Sequence, residues 1–184
     1  MDTGPVLPAP ATASAPELVL RPWRDTDAEA LLAAYRDPVL RRHTRVPVTN
    51  PAEARRWLAG TRADWHAGRR FSFAVVEPHP GEATLVANVV LKNVAPGTPG
   101  AEVGYWTAAP ARGRGIAAHA LETLSRWAFC RFGLSRLDLL HQVDNPASCR
   151  VAEKTGYRLA EVVPARPPFP RDGHRHVRWA PPPA

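Results

Sequence analysis

Arg112-Gly113-Arg114-Gly115 places two glycines and two arginines directly before a segment with helical spacing. A helix start carries unpaired N–H groups and a partial positive charge, so it attracts anions. Glycines at that position let the backbone approach the anion without a Cβ in the way. Arg112 and Arg114 add full charges whose donor geometry suits phosphate. A pyrophosphate is the natural guest, which points to nucleotide-containing cofactors. A P-loop would need Lys-Ser/Thr after the last glycine, and Gly115-Ile116-Ala117 denies it. A dinucleotide fingerprint is a closer rival, since Gly113 to Ala118 fits G-x-G-x-x-A with Asp138 further on. That fingerprint follows its strand almost directly, whereas Ala108–Arg112 intervenes here and Asp138 falls near the start of the next strand. Coenzyme A is the remaining class.

The elements that must position this doorway follow from periodicity. Glu17–Leu20 reads as a short strand. Thr26 and Glu29 form a capping box for a helix that stops before Pro38. Asn50-Pro51 opens a second helix with Ala54, Trp57, Leu58, Thr61 and Trp65 on one face. Phe71–Val76 and Thr84 to about Val94 form an antiparallel hairpin across Pro78–Gly81. Glu102–Thr107 is the strand before the doorway, and a helix runs from Gly115 to about Phe132. Leu137–Val143 is a strand, Asn145 caps a short helix with Pro146 at its first position, and Tyr157–Val163 and His174–Trp179 are the last strands. The order β-α-α-β-β-β-α-β-α-β-β predicts an α/β (α+β) domain with a central, mixed, mostly antiparallel seven-stranded sheet flanked by about four helices.

Length and composition set the bounds. The 184 residues suit one domain with a full core, and 45% hydrophobic with 22% charged residues is ordinary for a globular chain. The net charge of +7 calls for an anionic ligand or an acidic partner. Residues 1–16 and 181–184 are proline-rich and poor in apolar residues, so both read as disordered tails around a domain at 17–180. The N-terminus lacks the pattern of a secretion signal and no segment is long enough to span a membrane. Cys130 and Cys149 have neither metal-ligand nor disulfide spacing. The expectation is a reduced, cytoplasmic protein without a membrane partner. The arginines are dispersed, which argues against nucleic acid.

Arg112-Gly-Arg-Gly115-Ile-Ala117 resembles the Q/R-x-x-G-x-G/A acyl-CoA loop of the GCN5-related N-acetyltransferase (GNAT) superfamily. Glu17–Asp37, Glu102-Val-Gly-Tyr-Trp106, and Asn145–Ser148 through Glu153–Tyr157 are similar to the branch holding the Rim-type ribosomal-protein N-terminal acetyltransferases. The resemblance covers roughly residues 17–179. It implies a GNAT fold whose fourth and fifth strands splay to admit the pantetheine arm of acetyl-CoA. By the same resemblance, Arg112, Gly113, Arg114, Gly115, Ile116 and Ala117 take the pyrophosphate. The backbone of Trp106 and Thr107 takes the pantetheine and thioester carbonyl, and Asn145 holds the far side of the arm.

Acetyl transfer from a thioester to an amine needs no metal, and none is expected here. A lysine-like ammonium, with a pKa of about 10.4, must first lose a proton. Glu102 is the candidate base and, by resemblance, Ser148 the candidate acid. Tyr105 and Tyr157 are alternative proton donors, although strand tyrosines usually pack. His141 reads as a core histidine, and His174 and His176 alternate on the last strand with no other ligand beside them. Cys149 has no evident His partner for nucleophilic work. Trp23, Trp57 or Trp65 are candidates to line an acceptor pocket. The leading expectation is an N-acetyltransferase acting on a primary amine: a protein N-terminus, or a small amine such as an amino acid, polyamine or amino-antibiotic. A non-catalytic acyl-CoA-binding or regulatory domain is the alternative, and a homodimer is compatible with either.

Overall fold

The computed structural model describes residues 4–44, 46–167 and 169–182. One sheet has the order β1-β2-β3-β4-β5-β6-β8-β7. Its strands are β1 (Leu7–Ala9), β2 (Leu18–Pro22), β3 (Arg70–His79), β4 (Glu82–Lys92), β5 (Gly100–Thr107), β6 (Arg136–Gln142), β7 (Arg158–Val163) and β8 (Gly173–Trp179). The helices are α1 (Ala28–Ala34), α2 (Pro38–His43), α3 (Pro51–His66), α4 (Ile116–Phe132) and α5 (Pro146–Lys154). Among the described residues every strand pairing is antiparallel except β5 with β6, as the intervening α4 crossover requires.

Three features depart from expectation, each for a local reason. The segment expected to be a disordered tail contributes β1, which raises the strand count from seven to eight. Leu7 pairs with Leu20 and Ala9 with Leu18, and Ala9 is buried. Composition alone could not bury this segment, but an existing sheet edge supplies both hydrogen-bond partners and an apolar surface. Residues 1–3, 183 and 184 lie outside the described residues. Pro38 starts a helix in addition to ending one: Asp37 accepts the N–H groups of Val39 and Leu40, making α2 the fifth helix. In place of a Thr26 capping box, a 3-10 turn over Asp25–Asp27 leads into α1, and the Asp27 side chain closes that turn without capping α1 itself. The Asp27 carboxylate accepts the Arg24 N–H at 2.8 Å and holds Arg21 with two hydrogen bonds, at 2.7 and 2.8 Å.

Strand alternation divides the core in two. Phe73, Val75, Val89, Leu91, Val103, Leu137 and Leu139 pack with Leu121 and Leu124 of α4. Ala74, between Phe73 and Val75, joins Trp23, Leu31, Tyr35, Leu40 and Leu58 on the other face. Each fully buried leucine contributes about 1.5–3 kcal/mol relative to exposure, so the α4 face anchors the crossover between β5 and β6. That crossover sets the position of the doorway.

Candidate active site

β5 and β6 run side by side for only four residue pairs, from Gly100↔Arg136 to Val103↔Leu139. Beyond that point β5 continues on β4 as far as Thr107, and β6 continues on β8 as far as Gln142. The two strands therefore part, leaving the facing edges of Gly104–Thr107 and Leu140–Gln142 without a ladder between them. Trp106 and Thr107 lie on this open edge of β5, the stretch to which the family resemblance assigns the thioester.

Beside this opening stands the N-terminus of α4. The side chains of Asp37, Asn50 and Asn145 cap α2, α3 and α5, but the N-cap of α4 is Gly115 and no side chain caps it. The first-turn N–H groups of Ile116 and Ala117 are thus left to an external acceptor. Gly113 and Gly115 both have positive φ, +76° and +74°, a backbone turn that glycine adopts without strain. The glycine at 115 has a second cause that the sequence did not reveal. A Cβ there would lie 2.1 Å from the carbonyl oxygen of Ser14, so the N-terminal hairpin, and not the anion, excludes a side chain. The uncapped N–H groups and these glycines fit a diphosphate.

The doorway arginines are already engaged. Arg112 pairs with Asp37, and Arg114 with Glu77 at 2.6 Å. Burial acts to raise the Asp37 pKa, but the Val39 N–H, Arg112 and the Leu40 N–H outweigh it and hold the carboxyl below its ordinary value. The Arg114 hydrogen bond does the same for Glu77. Arg112 and Arg114 therefore reach a phosphate only by sharing themselves with these carboxylates. Neither partner was legible in the sequence, since Asp37 is 75 residues from Arg112.

The two candidate proton-transfer residues lie on opposite faces of β5. Ser148 is buried at the start of α5, where its N–H donates to Asn145 Oδ1 at 3.2 Å and its Oγ accepts the Tyr105 hydroxyl at 3.1 Å. Burial pushes the Tyr105 pKa up to about 12, so the phenol stays protonated across the neutral range. Ala101 and Val103 belong to the α4-side core, so Glu102 alternates to the other face, which it shares with Trp106. Glu102 sits in the zipped part of the sheet, bound to Lys92 Nζ at 2.5 Å and to Asn93 Nδ2 at 3.1 Å.

Other candidates sort clearly. Tyr157 is fully buried and hydrogen-bonded to Ser125 at 2.7 Å beneath α4, which makes it a packing residue. Trp65 packs edge-on against Phe71 and Phe73 in the core. Trp23 and Trp57 meet edge-to-face, and Trp23 and Tyr35 flank Trp106, so this aromatic group adjoins the β5 side of the opening. Trp23 Nε1 donates to the buried Asn88 at 3.0 Å. The histidines are not isolated: His141, His174 and His176 converge on Cys149, contrary to the expectation that no other ligand lay beside them. Strand pairing of β6 with β8 sets His174 opposite His141, and α5 folds back over both.

A parted parallel strand pair, an uncapped glycine-turned helix and a mostly antiparallel sheet match the fold expected from the sequence. The family model for the acetyltransferase (GNAT) domain matches residues 17–158. The chain belongs to that family, whose members are acyltransferases, and no described helix is long and apolar enough to cross a membrane. Among solved structures, the ribosomal L7/L12 alpha-N-protein acetyltransferase RimL, in complex with coenzyme A, superposes with a TM-score of 0.80 at 21% identity, covering 94% of this chain and 97% of that one. RimJ of Mycobacterium smegmatis, in complex with CoA-disulfide, gives 0.78 at 22% identity over 96% and 86%. The microcin C7 self-immunity acetyltransferase MccE, in complex with acetyl-CoA and AMP, gives 0.79 at 18% over 92% and 98%. No curated protein sequence matches the chain.

Proposed function

We propose that this enzyme transfers an acetyl group from acetyl-CoA to a primary amine by direct attack in a ternary complex. The observation that carries the reading is the parting of β5 and β6 beside the uncapped N-terminus of α4. Gly113, Gly115 and the Ile116 and Ala117 N–H groups would hold the diphosphate, assisted by Arg112 and Arg114. The open edge at Trp106–Thr107 would take the pantetheine and offer N–H donors to the carbonyl oxygen, and Asn145 would flank the arm.

In the reaction the amine nitrogen forms a bond to the acetyl carbon and the carbon–sulfur bond breaks. Glu102 lies four residues before Trp106 on the same face of β5, so it would take the amine proton through intervening water, in competition with its Lys92 partner. Ser148, backed by the Tyr105 hydroxyl, supplies a proton toward the departing thiolate. The acceptor would approach along the face carrying Trp23, Tyr35 and Trp106. The likeness to RimL, an alpha-N-protein acetyltransferase, makes protein N-termini the acceptors to try first.

The test is release of free CoA from acetyl-CoA with a panel of N-terminal peptides, amino acids, polyamines and amino-antibiotics, with products weighed by mass spectrometry. The expected result is CoA release with an acceptor 42 Da heavier, the mass of one acetyl replacing one hydrogen. Tight acetyl-CoA binding with no release above hydrolysis for any acceptor would establish the acyl-CoA-binding domain instead.

A further inference from the structure

Four potential metal ligands meet where α5 folds over β6 and β8. One ligand atom from each of His141, Cys149, His174 and His176 lies within 4.8 Å of all the others. His141 Nε2 is 3.2 Å from His176 Nε2, Cys149 Sγ is 3.6 Å from His141 Nε2, and Cys149 Sγ is 3.3 Å from His174 Nδ1. Zinc bonds of about 2.0–2.1 Å to nitrogen and about 2.3 Å to sulfur give a tetrahedron with edges of roughly 3.3 Å and 3.6 Å. The three measured edges fall close to those values.

The ring orientations point the same way. His141 Nδ1 is 2.8 Å from the Gln142 carbonyl oxygen and His176 Nδ1 is 3.4 Å from that of Tyr157. A carbonyl only accepts, so both Nδ1 atoms carry the proton. In those tautomers two Nε2 lone pairs face each other at 3.2 Å, a contact that either a shared proton or a metal ion would relieve. A backbone carbonyl on the distal ring nitrogen is also the usual partner of a metal-ligating histidine. His176 is 1% exposed, so its Nε2 has little recourse to water. The cluster is separate from the diphosphate loop, and none of its four side chains has a role in the proposed acetyl transfer, although His141 lies on the β6 edge that faces the opening.

We infer that His141, Cys149, His174 and His176 form a closed tetrahedral zinc site that ties α5 to the β6–β8 edge of the sheet. Four protein ligands leave no open position, so the ion is structural. Cys149 gives up its thiol proton to solvent as the ion binds. The site is one residue from Ser148, and so it fixes the first turn of the helix that carries both Asn145 and Ser148. A borderline-soft divalent cation suits the three imidazoles and one thiolate better than magnesium or calcium does.

The test uses the full chain, reduced and freed of metal with a chelator, titrated with zinc chloride against a chromophoric zinc indicator. One zinc per chain with a submicromolar dissociation constant is expected, together with a Tm that rises with zinc concentration. Cobalt(II) in place of zinc should give the strong visible bands of tetrahedral coordination and a near-ultraviolet thiolate band that Cys149→Ser removes. His174→Ala, at a half-buried strand position, should weaken zinc at least tenfold while the far-ultraviolet circular dichroism stays unchanged. No stoichiometric binding at micromolar free zinc, a pale octahedral cobalt spectrum, or unchanged affinity in both variants would overturn the site. None of these readouts depends on acetyl transfer.

Discussion

Glu102 and Ser148 can be separated by kinetics because they face different sides of β5. Glu102→Gln should lower kcat about a hundredfold at pH 7, within the range for general base catalysis, and recover in part at high pH as the free amine becomes abundant. Its CoA affinity should hold, since the carboxylate faces away from the Tyr105–Ser148 side. Ser148→Ala should cost less, because a thiolate with a pKa near 8.5 leaves tolerably without help. Tyr105→Phe removes only the partner of the Ser148 oxygen and should cost less again. The pH–rate profiles of the three variants decide the matter. Wild-type turnover in Glu102→Gln at neutral pH would remove it from the mechanism.

At the scale of the element, the uncapped start of α4 is the feature to test. Substitution at Gly115 is a poor probe, because the Ser14 carbonyl and the positive φ would oppose any side chain whether or not a phosphate binds. Ala117 is better placed: it is half-buried in the first turn of α4, where a carboxylate is compatible with the helix dipole. Ala117→Glu should therefore retain helicity and Tm while CoA affinity falls at least tenfold through charge repulsion, measured by calorimetry. Unchanged affinity would place the diphosphate elsewhere. The pairing of Arg112 with Asp37 and of Arg114 with Glu77 sets the arginine fork before any ligand arrives, which reduces the side-chain entropy lost on binding.

At the scale of the whole molecule, the N-terminal segment is part of the fold. Residues 7–15 add a strand, press the Ser14 carbonyl against Gly115, and bring the Ala9 and Pro10 carbonyls within 3.3 and 3.0 Å of His119 Nε2. Deleting residues 1–10 should cost about 1–3 kcal/mol from lost apolar burial, lowering Tm by roughly 2–12 °C in thermal denaturation. An unchanged Tm would return the segment to the status of a tail.

The sequence by itself determined the parts of this protein that are local. Asn50-Pro51 and Asn145-Pro146 cap their helices, Leu121, Leu124 and Ala128 bury one face of α4, and Arg112–Ala117 forms an uncapped helix start. Each depends on residues within a turn or two, so spacing alone carries the physics. Contacts between distant segments were decided only by the tertiary structure. Composition made residues 1–16 look unstructured because a strand's partners lie outside it, and Leu7 and Ala9 are ordered by Leu20 and Leu18. His141, Cys149, His174 and His176 looked like four unconnected residues in the chain. They became one site because the β6–β8 register sets His174 opposite His141 and α5 lays Cys149 over them, and no spacing along the chain encodes that convergence.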